Sequence, residues 1–403
     1  DLYDRLFFAI PKRLTMHKFI IFMLTVFSMS SNSQSIRIAT FNASMEATNY
    51  VEQEQTPAGD ELQSNLRSGE HKQIKNIADI IQRTRPDIVL LNEFDYSKQS
   101  ATDVQKFIKH YLTLSQANNK PIDYPYFYSA PVNTGVDSGL DLDKDGIASG
   151  TKGDAFGFGL FPGHYGMLVL SKYPIQFDQI RTFQHFLWKD MPDNLMATIK
   201  DENGKLYYSQ QAQQILRLSS KSHWDIPIKI GNQTIHLLAS HPTPPVFDGP
   251  ENRNGKRNHD EIRFWTDYLS GSEQSAYIYD DNQKRGGFKG EHFVIAGDLN
   301  ASPDEGDGIK GGIKGLLEHS LVNDLIVPQS EGGSVHTPDN PYSAQHTAEW
   351  AMRADYVLPS TSLNVTGSGV FWPKPDDSLF RLIKDRQSSS DHRLVWIDIA
   401  VTK

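Results

Sequence analysis

Four short apolar runs in this chain adjoin side chains able to do acid–base or metal chemistry. Ile36-Arg37-Ile38-Ala39 leads to Thr40-Phe41-Asn42, and Ile88-Val89-Leu90-Leu91 leads to Asn92-Glu93. Phe293-Val294-Ile295-Ala296 leads to Gly297-Asp298-Leu299-Asn300, while Ser390-Asp391-His392 precedes the run Leu394 to Ile399. A strand end fixes the backbone while its tip reaches solvent, which is where ligands and catalytic groups collect. Tips carrying only Asn, Glu, Asp and His form a set of hard oxygen donors plus imidazole, suited to Mg²⁺ (or Mn²⁺) and to phosphate. Asp298 and Asn300 lie two residues apart, so in extended backbone both side chains face one side. A carboxylate there can orient or deprotonate water while an amide holds phosphate. In Leu216 to Trp224, the residues Arg217, Ser219, Lys221 and His223 alternate as along a strand. Arg217 and Lys221 could bind phosphate there, and a solvated sheet face accounts for the pattern equally well.

The elements that must position these groups follow from periodicity. Strands are expected at Ile36 to Phe41, Ile88 to Leu91, Met167 to Leu170, Phe293 to Ala296, Tyr356 to Leu358 and Leu394 to Ile399. Ile226 to Ile230 and Ile235 to Ala239 flank Gly231-Asn232, a hairpin signal. Ile74, Ile77, Ala78 and Ile81 sit at helical spacing in a segment that must stop before Pro86. His259 to Leu269 reads as a second helix, with Ile262, Trp265 and Leu269 on one face. Strands outnumber helices and a hairpin joins two of them, so mixed sheets in a layered α/β sandwich are expected.

The 403 residues hold no cysteine, which removes structural disulfides, thiolate metal sites and cysteine nucleophiles from consideration. A formal charge of −9 gives no global attraction to nucleic acid, although a bound metal and a local basic patch can supply one. Met16-His17-Lys18 followed by the apolar Phe19 to Phe27 and the polar Ser28 to Ser35 has the form of a secretory signal, too short to span a bilayer. Residues 1–35 are therefore expected to be an upstream segment and leader, and the protein to be secreted or periplasmic. Residues 36–403 are expected to be one domain, monomeric and without a transmembrane segment, with long loops at 131–166 and 242–260. Asp141-Leu142-Asp143-Lys144-Asp145-Gly146 places oxygens at alternate positions before a glycine, as in the opening of a calcium loop. Lys152 stands where such a loop carries a bidentate Glu, so structural Ca²⁺ at Asp141, Asp143 and Asp145 competes with a solvated acidic turn.

Asn42, Glu93, the run Gly166 to Ile175, Ser240-His241, Gly297 to Asn300, Arg353 to Leu358 and Ser390-Asp391-His392 occur in an order that resembles the endonuclease/exonuclease/phosphatase superfamily, the deoxyribonuclease I-like metal-dependent phosphoesterases. The resemblance runs from Ile36 to about Ile399 and implies a four-layer sandwich, with two packed mixed β-sheets flanked by helices. It gives Glu93 the metal, with Asn42 completing its shell, and gives Asp298 and Asn300 the attacking water and the phosphate. His392 is the acid–base candidate, and Asp355 matches the position that holds its tautomer. Asp391 could reach the metal. His241, found in the deoxyribonuclease and sphingomyelinase branches, could protonate the leaving oxygen or stabilise the pentavalent phosphate.

The resemblance implies an exported hydrolase of phosphodiesters with nuclease as the favoured activity. Small-molecule phosphatases (phytate or sugar phosphates) and phospholipid or sphingomyelin phosphodiesterases are alternatives. Phe156 to Tyr165 and Pro242 to His259 should overhang the site, where they could stack bases, grip lipid or close over a small ester. In the loop after His241, Arg253, Lys256 and Arg257 are the expected contacts to a nucleic-acid backbone. A non-catalytic binding protein on the same scaffold is the reading outside the enzymes, and the intact set Glu93, Asp298, Asp355 and His392 weighs against it.

Overall fold

The structure is a computed structural model that describes residues 33–402, apart from residue 53. Its strands are β1 (Ser33–Met45), β2 (Ile88–Phe94), β3 (Tyr126–Tyr128), β4 (Met167–Ser171), β5 (Arg181–Thr182), β6 (His223–Ile230), β7 (Gln233–Ser240), β8 (His292–Asp298), β9 (Asp355–Pro359), β10 (Asn364–Val370) and β11 (Val395–Thr402). They form a six-stranded sheet in the order β10-β11-β1-β2-β4-β3 and a five-stranded sheet in the order β5-β6-β7-β8-β9. Each sheet is mixed, because β1 pairs with β2 and β7 with β8 in parallel while the remaining pairs are antiparallel.

The layering follows from which residues alternate. Leu237 and Ala239, Val294 and Ala296, and Val357 point into the core shared with Ile38, Phe41 and Ile397 of the first sheet. Their neighbours Leu238, Phe293, Ile295, Tyr356 and Leu358 point the other way. There they meet Ile262, Trp265 and Leu269 of the helix Arg253–Leu269 and Ile313 and Leu316 of the helix Lys310–Leu317. On the far side of the six-stranded sheet, the helix Lys72–Thr84 buries Ile74, Ile77, Ala78 and Ile81. Its last turn ends at Arg85 in the left-handed region, just before Pro86. The result is helix, sheet, sheet, helix: a four-layer sandwich.

Several sequence expectations shift at their edges. The leader lies outside the described residues except for Ser33, Gln34 and Ser35, which form the first pairs of β1 with Thr402, Val401 and Ala400. The second helix begins at Arg253 rather than His259, so the loop after His241 ends at Asn252. Periodicity misses this first turn and a half because Gly255 and Asn258, not apolar residues, fill its buried face. Residues 216–222 are not a strand. Their backbone bonds to loops and to the helix Arg253–Leu269, with Leu218 N–H donating to Phe186 O, Asn133 N–H to Lys221 O and Ser220 N–H to the Glu261 carboxylate. Ser219 to Ser222 are consequently all buried, without a solvated face.

Candidate active site

The ends of β1, β2, β8 and β9 and the residues before β11 meet at one edge of the sandwich. That edge is shaped by a close approach within the five-stranded sheet and by a buried amide that joins it to the other sheet. Gly297 has φ 153°, and a Cβ on it would lie 2.0 Å from Ser240 O, so only glycine lets β8 run this close to β7. Asn92, fully buried, accepts the Asp298 N–H at 3.2 Å and the Thr40 hydroxyl at 3.3 Å, tying the end of β8 to the facing sheet. Glu93 and Asn300 both sit in the left-handed region, at φ 56° and 52°. Strain of this kind in non-glycine residues is held by surrounding structure and collects at functional sites. The chain therefore turns at Asn300 instead of continuing extended. Asn300 N–H donates to Asp298 Oδ1, and its side chain donates to Pro242 O.

One side of the site is a line of proton-carrying groups. Thr347 Oγ1 donates to Asp355 Oδ2 at 2.7 Å, and that same oxygen lies 2.9 Å from His392 Nδ1. His392 Nε2 faces Asp298 Oδ2 at 3.6 Å, and His241 Nε2 faces it at 3.4 Å. All five groups are buried. Burial opposes charge on His392, but the carboxylates of Asp355 and Asp298 outweigh it and raise the imidazole well above its ordinary range. Burial likewise raises Asp298, against the pull of His392. His241 is pushed well below its usual value by burial and then by Lys221, so it is neutral, and its Nδ1 has no partner among the described residues.

The other side is acidic and holds a single guanidinium. Arg386 lies 3.3 Å from Glu93 Oε2, 3.6 Å from Asp391 Oδ2 and 3.0 Å from Glu46 Oε1. Asn42 Nδ2 donates to Glu93 at 3.0 Å and to Asp298 at 3.1 Å, joining the two sides, while its carbonyl oxygen accepts from Ser44 N–H. Asp391 also accepts from Ser44 Oγ. Glu46 is anchored by His164 at 2.9 Å, which brings the glycine-rich loop 131–166 to the rim. Lys221 is buried without an ion-pair partner among the described residues. Burial lowers it, partly offset by Glu261, Glu93 and Asp298.

Of the residues singled out by sequence, Asn42, Glu93, His241, Asp298, Asp355, Asp391 and His392 converge, with Asn300 and Lys221 adjoining them. Arg217 is not among them. It donates to Asn133 Oδ1 at 2.6 Å and lies over the Phe156 ring, holding the glycine-rich loop. The three cations expected to meet a nucleic-acid backbone are likewise engaged within the fold. Arg253 pairs with Glu251, Lys256 donates to Thr198 O and Glu251 O, and Arg257 donates to Leu218 O, Phe156 O and Arg217 O. Sequence reasoning missed Arg386, Thr347 and Trp350, whose half-exposed ring stands edge-on to His392 at 4.7 Å. All three lie in irregular chain. Asn92, placed by the sequence beside Glu93 at a strand tip, has a tying role between the sheets that the sequence does not show. Away from the site, Asp141, Asp143 and Asp145 do gather, with ligand oxygens within 4.8 Å of one another.

Carboxylates, amides and imidazoles gathered at the strand ends of a two-sheet sandwich define the class of phosphoester-cleaving folds. The chain matches the model of the endonuclease/exonuclease/phosphatase family over residues 39–392 and belongs to that family, whose members are hydrolases acting on phosphoesters. It is similar to an endonuclease/exonuclease/phosphatase from Beutenbergia cavernae DSM 12333, at 16% identity and TM-score 0.49, over 91% of this chain and 72% of that one. It is also similar to a mutant beta toxin from Staphylococcus aureus with bound magnesium ions, at 15% and 0.42, over 92% and 100% of the two chains. Sphingomyelinase C from Streptomyces griseocarneus is similar at 14% and 0.42, over 91% and 99%. No curated protein matches the chain.

Proposed function

We propose that this chain hydrolyses phosphodiesters by metal-assisted attack of water, with nucleic acid as the favoured substrate. The observation that carries the reading is the division of the site: acids converging on a cation on one side, and a line of proton-carrying groups on the other. Glu93 and Asp391 suit Mg²⁺ or Mn²⁺, being hard carboxylates whose present counter-charge is the guanidinium of Arg386. Asn42 can join them by turning its amide over, since its carbonyl oxygen now faces Ser44. Asp298, Asp355 and His392 also lie within 4.8 Å of one another. His392 Nδ1 is engaged by Asp355 and its Nε2 faces Asp298, so that trio is read as the line of proton transfer. A divalent cation at Glu93 and Asp391 would supply charge neutralisation for the phosphate and the leaving oxygen.

The chain's own residues do the rest. Asp355 fixes the His392 ring and supports its charge. Asp298, raised by burial, takes the proton of the attacking water, and the facing His392 stabilises the pair. Neutral His241 gives the leaving oxygen a hydrogen bond, the leaving oxygen taking its proton from solvent, and Lys221 and Asn300 hold phosphate oxygens. Export, proposed on the leader alone, is tested by finding the chain outside the cell with a new N-terminus near residue 33. Structural Ca²⁺ at Asp141, Asp143 and Asp145 is proposed separately, and a calcium titration that leaves these loop residues unperturbed removes it.

The deciding experiment is a panel on purified protein, with and without EDTA, against bis(p-nitrophenyl) phosphate, duplex DNA, RNA, sphingomyelin and phytate. Diester hydrolysis restored by Mg²⁺ or Mn²⁺ is expected. Full activity in chelator sinks the metal reading, and turnover of phytate alone sinks the diesterase.

A further inference from the structure

We infer that a cleft beside the acidic side of the site is the track for the backbone of a nucleic-acid strand; this deepens the phosphodiesterase reading and rests on it. The cleft measures about 520 Å³, and the charged residues on its walls are Lys72, Arg381, Lys384 and Asp385, with His71 between them. The remaining wall is amide and hydroxyl side chains, with no apolar residue. One wall is the start of the helix Lys72–Thr84. The other is the segment 381–388, which also carries Arg386 to Glu93 and Asp391.

The walls are tied together before any ligand arrives. Gln73 Nε2 donates to Ala43 O at 2.9 Å and to Ser389 O at 2.6 Å, and Asn76 Nδ2 donates to Ser388 O at 2.7 Å. A pre-formed cleft spares a ligand the cost of ordering it.

Two of the cleft's cations, Lys72 and Lys384, are exposed, form no ion pair among the described residues and face the same concavity. The half-exposed Arg381 holds Asp79 with one nitrogen at 2.7 Å. Asp385 opposes them, with one oxygen on Ser388 N–H. Three cations against Asp385 and the Asp79 that Arg381 holds leave a small local excess of positive charge, in a chain of formal charge −9. Lys384 is two residues from Arg386, so a phosphate at the acid site and a second phosphate of the same strand can be held together. The His71 ring, packed edge-on against Tyr50 at 4.9 Å, gives a base a fixed surface to stack on. A lipid surface fits less well, because the cations lie in a concavity whose walls carry no apolar side chain to enter a bilayer.

The test uses the whole chain and the double variant Lys72→Ala/Lys384→Ala, both positions being exposed and outside the catalytic set. Anisotropy of a labelled single-stranded oligonucleotide in EDTA, across a salt series, reads binding without cleavage. Turnover of bis(p-nitrophenyl) phosphate with Mg²⁺ reads the chemistry, on a substrate too small to span to the cleft. Weaker oligonucleotide binding by roughly tenfold and a salt slope smaller by about one to two units are expected, with unchanged turnover. Equal binding and slope in the two proteins overturn the track even for an active nuclease. Loss of binding to phosphatidylserine vesicles, with oligonucleotide binding unchanged, transfers the cleft to a lipid and overturns it as well. Absence of turnover in the unaltered protein, with binding as expected, overturns the enzymatic reading instead.

Discussion

At the scale of single residues, the site is a contest between burial and charge. His392 is buried, which disfavours the imidazolium, yet two carboxylates within 3.6 Å restore it. Replacing His392 by Asn keeps a polar group of similar reach but removes the titrating ring. We expect kcat to fall by about 10²–10⁴, the range for general acid–base groups. Steady-state turnover of bis(p-nitrophenyl) phosphate measures it, and an undiminished rate moves the role to another group. His223 shows the opposite balance. Its Nδ1 lies 2.5 Å from the Ser219 hydroxyl and its Nε2 2.8 Å from Glu261 O, an acceptor only, so Nε2 carries a proton. Burial lowers the imidazole to about 4. The folded-state value lies below the unfolded one, so this histidine's contribution is complete above pH 6.5 and is lost as pH falls toward 4. The loss is on the order of 3 kcal/mol. Calorimetric melting across that window should show it, and His223→Gln, which keeps a donor to Glu261 O, should flatten the slope. An equally steep slope in the variant excludes His223 as its source.

At the scale of elements, what positions the site is the approach of β7 to β8 and the anchoring of residues 216–222. Gly297→Ala places a Cβ against Ser240 O, where the backbone must yield. We expect a lower melting temperature together with a kcat loss that exceeds any change in KM, since the displaced residue is Asp298. A variant that melts like the parent and turns over normally refutes that tightness. Arg257 spans three backbone carbonyls, of Leu218, Phe156 and Arg217. Arg257→Ala leaves buried acceptors unpaired and should cost stability by about 1–3 kcal/mol, with activity on small and large substrates falling together. A selective loss on DNA would make it a substrate contact after all. The two cases mark what sequence can convey. The strand ends at Asn42, Glu93 and Asp298 were legible because a short apolar run and its polar tip are local patterns. The role of Arg257 was not, because its partners are carbonyls brought from 40 and 101 residues away. Arg386, Thr347 and Trp350 carry no periodicity at all. Their roles exist only once β9 and β11 are placed beside β1 and β2.

At the scale of the whole molecule, an acidic chain concentrates acid further at one edge. Glu46, Glu93, Asp298, Asp355 and Asp391 face one another there, and Arg386, Lys221 and His392 are the nearby compensating cations. The folded state therefore holds like charges together that the unfolded chain disperses, a cost to stability that a divalent cation relieves only in the folded form. Binding to the folded state alone stabilises it by RT ln(1 + [L]/Kd), about 2.7 kcal/mol at a hundredfold excess over Kd. We expect Mg²⁺ to raise the melting temperature in a saturable way. Glu93→Gln, which removes one of the two hard carboxylates without changing size, should abolish most of that rise. Arg386→Gln should act in the other direction, lowering the melting temperature of the metal-free protein and enlarging the rise, because the guanidinium is the cation that now neutralises Glu93 and Asp391. Scanning calorimetry of the three proteins in EDTA and in a Mg²⁺ series reads all of this without any substrate. Identical Mg²⁺ responses in the parent and in Glu93→Gln would mean that the cation binds elsewhere, with the Asp141–Asp145 loop as the first place to look. A smaller rise in Arg386→Gln would make the arginine a partner of the metal site instead of its competitor.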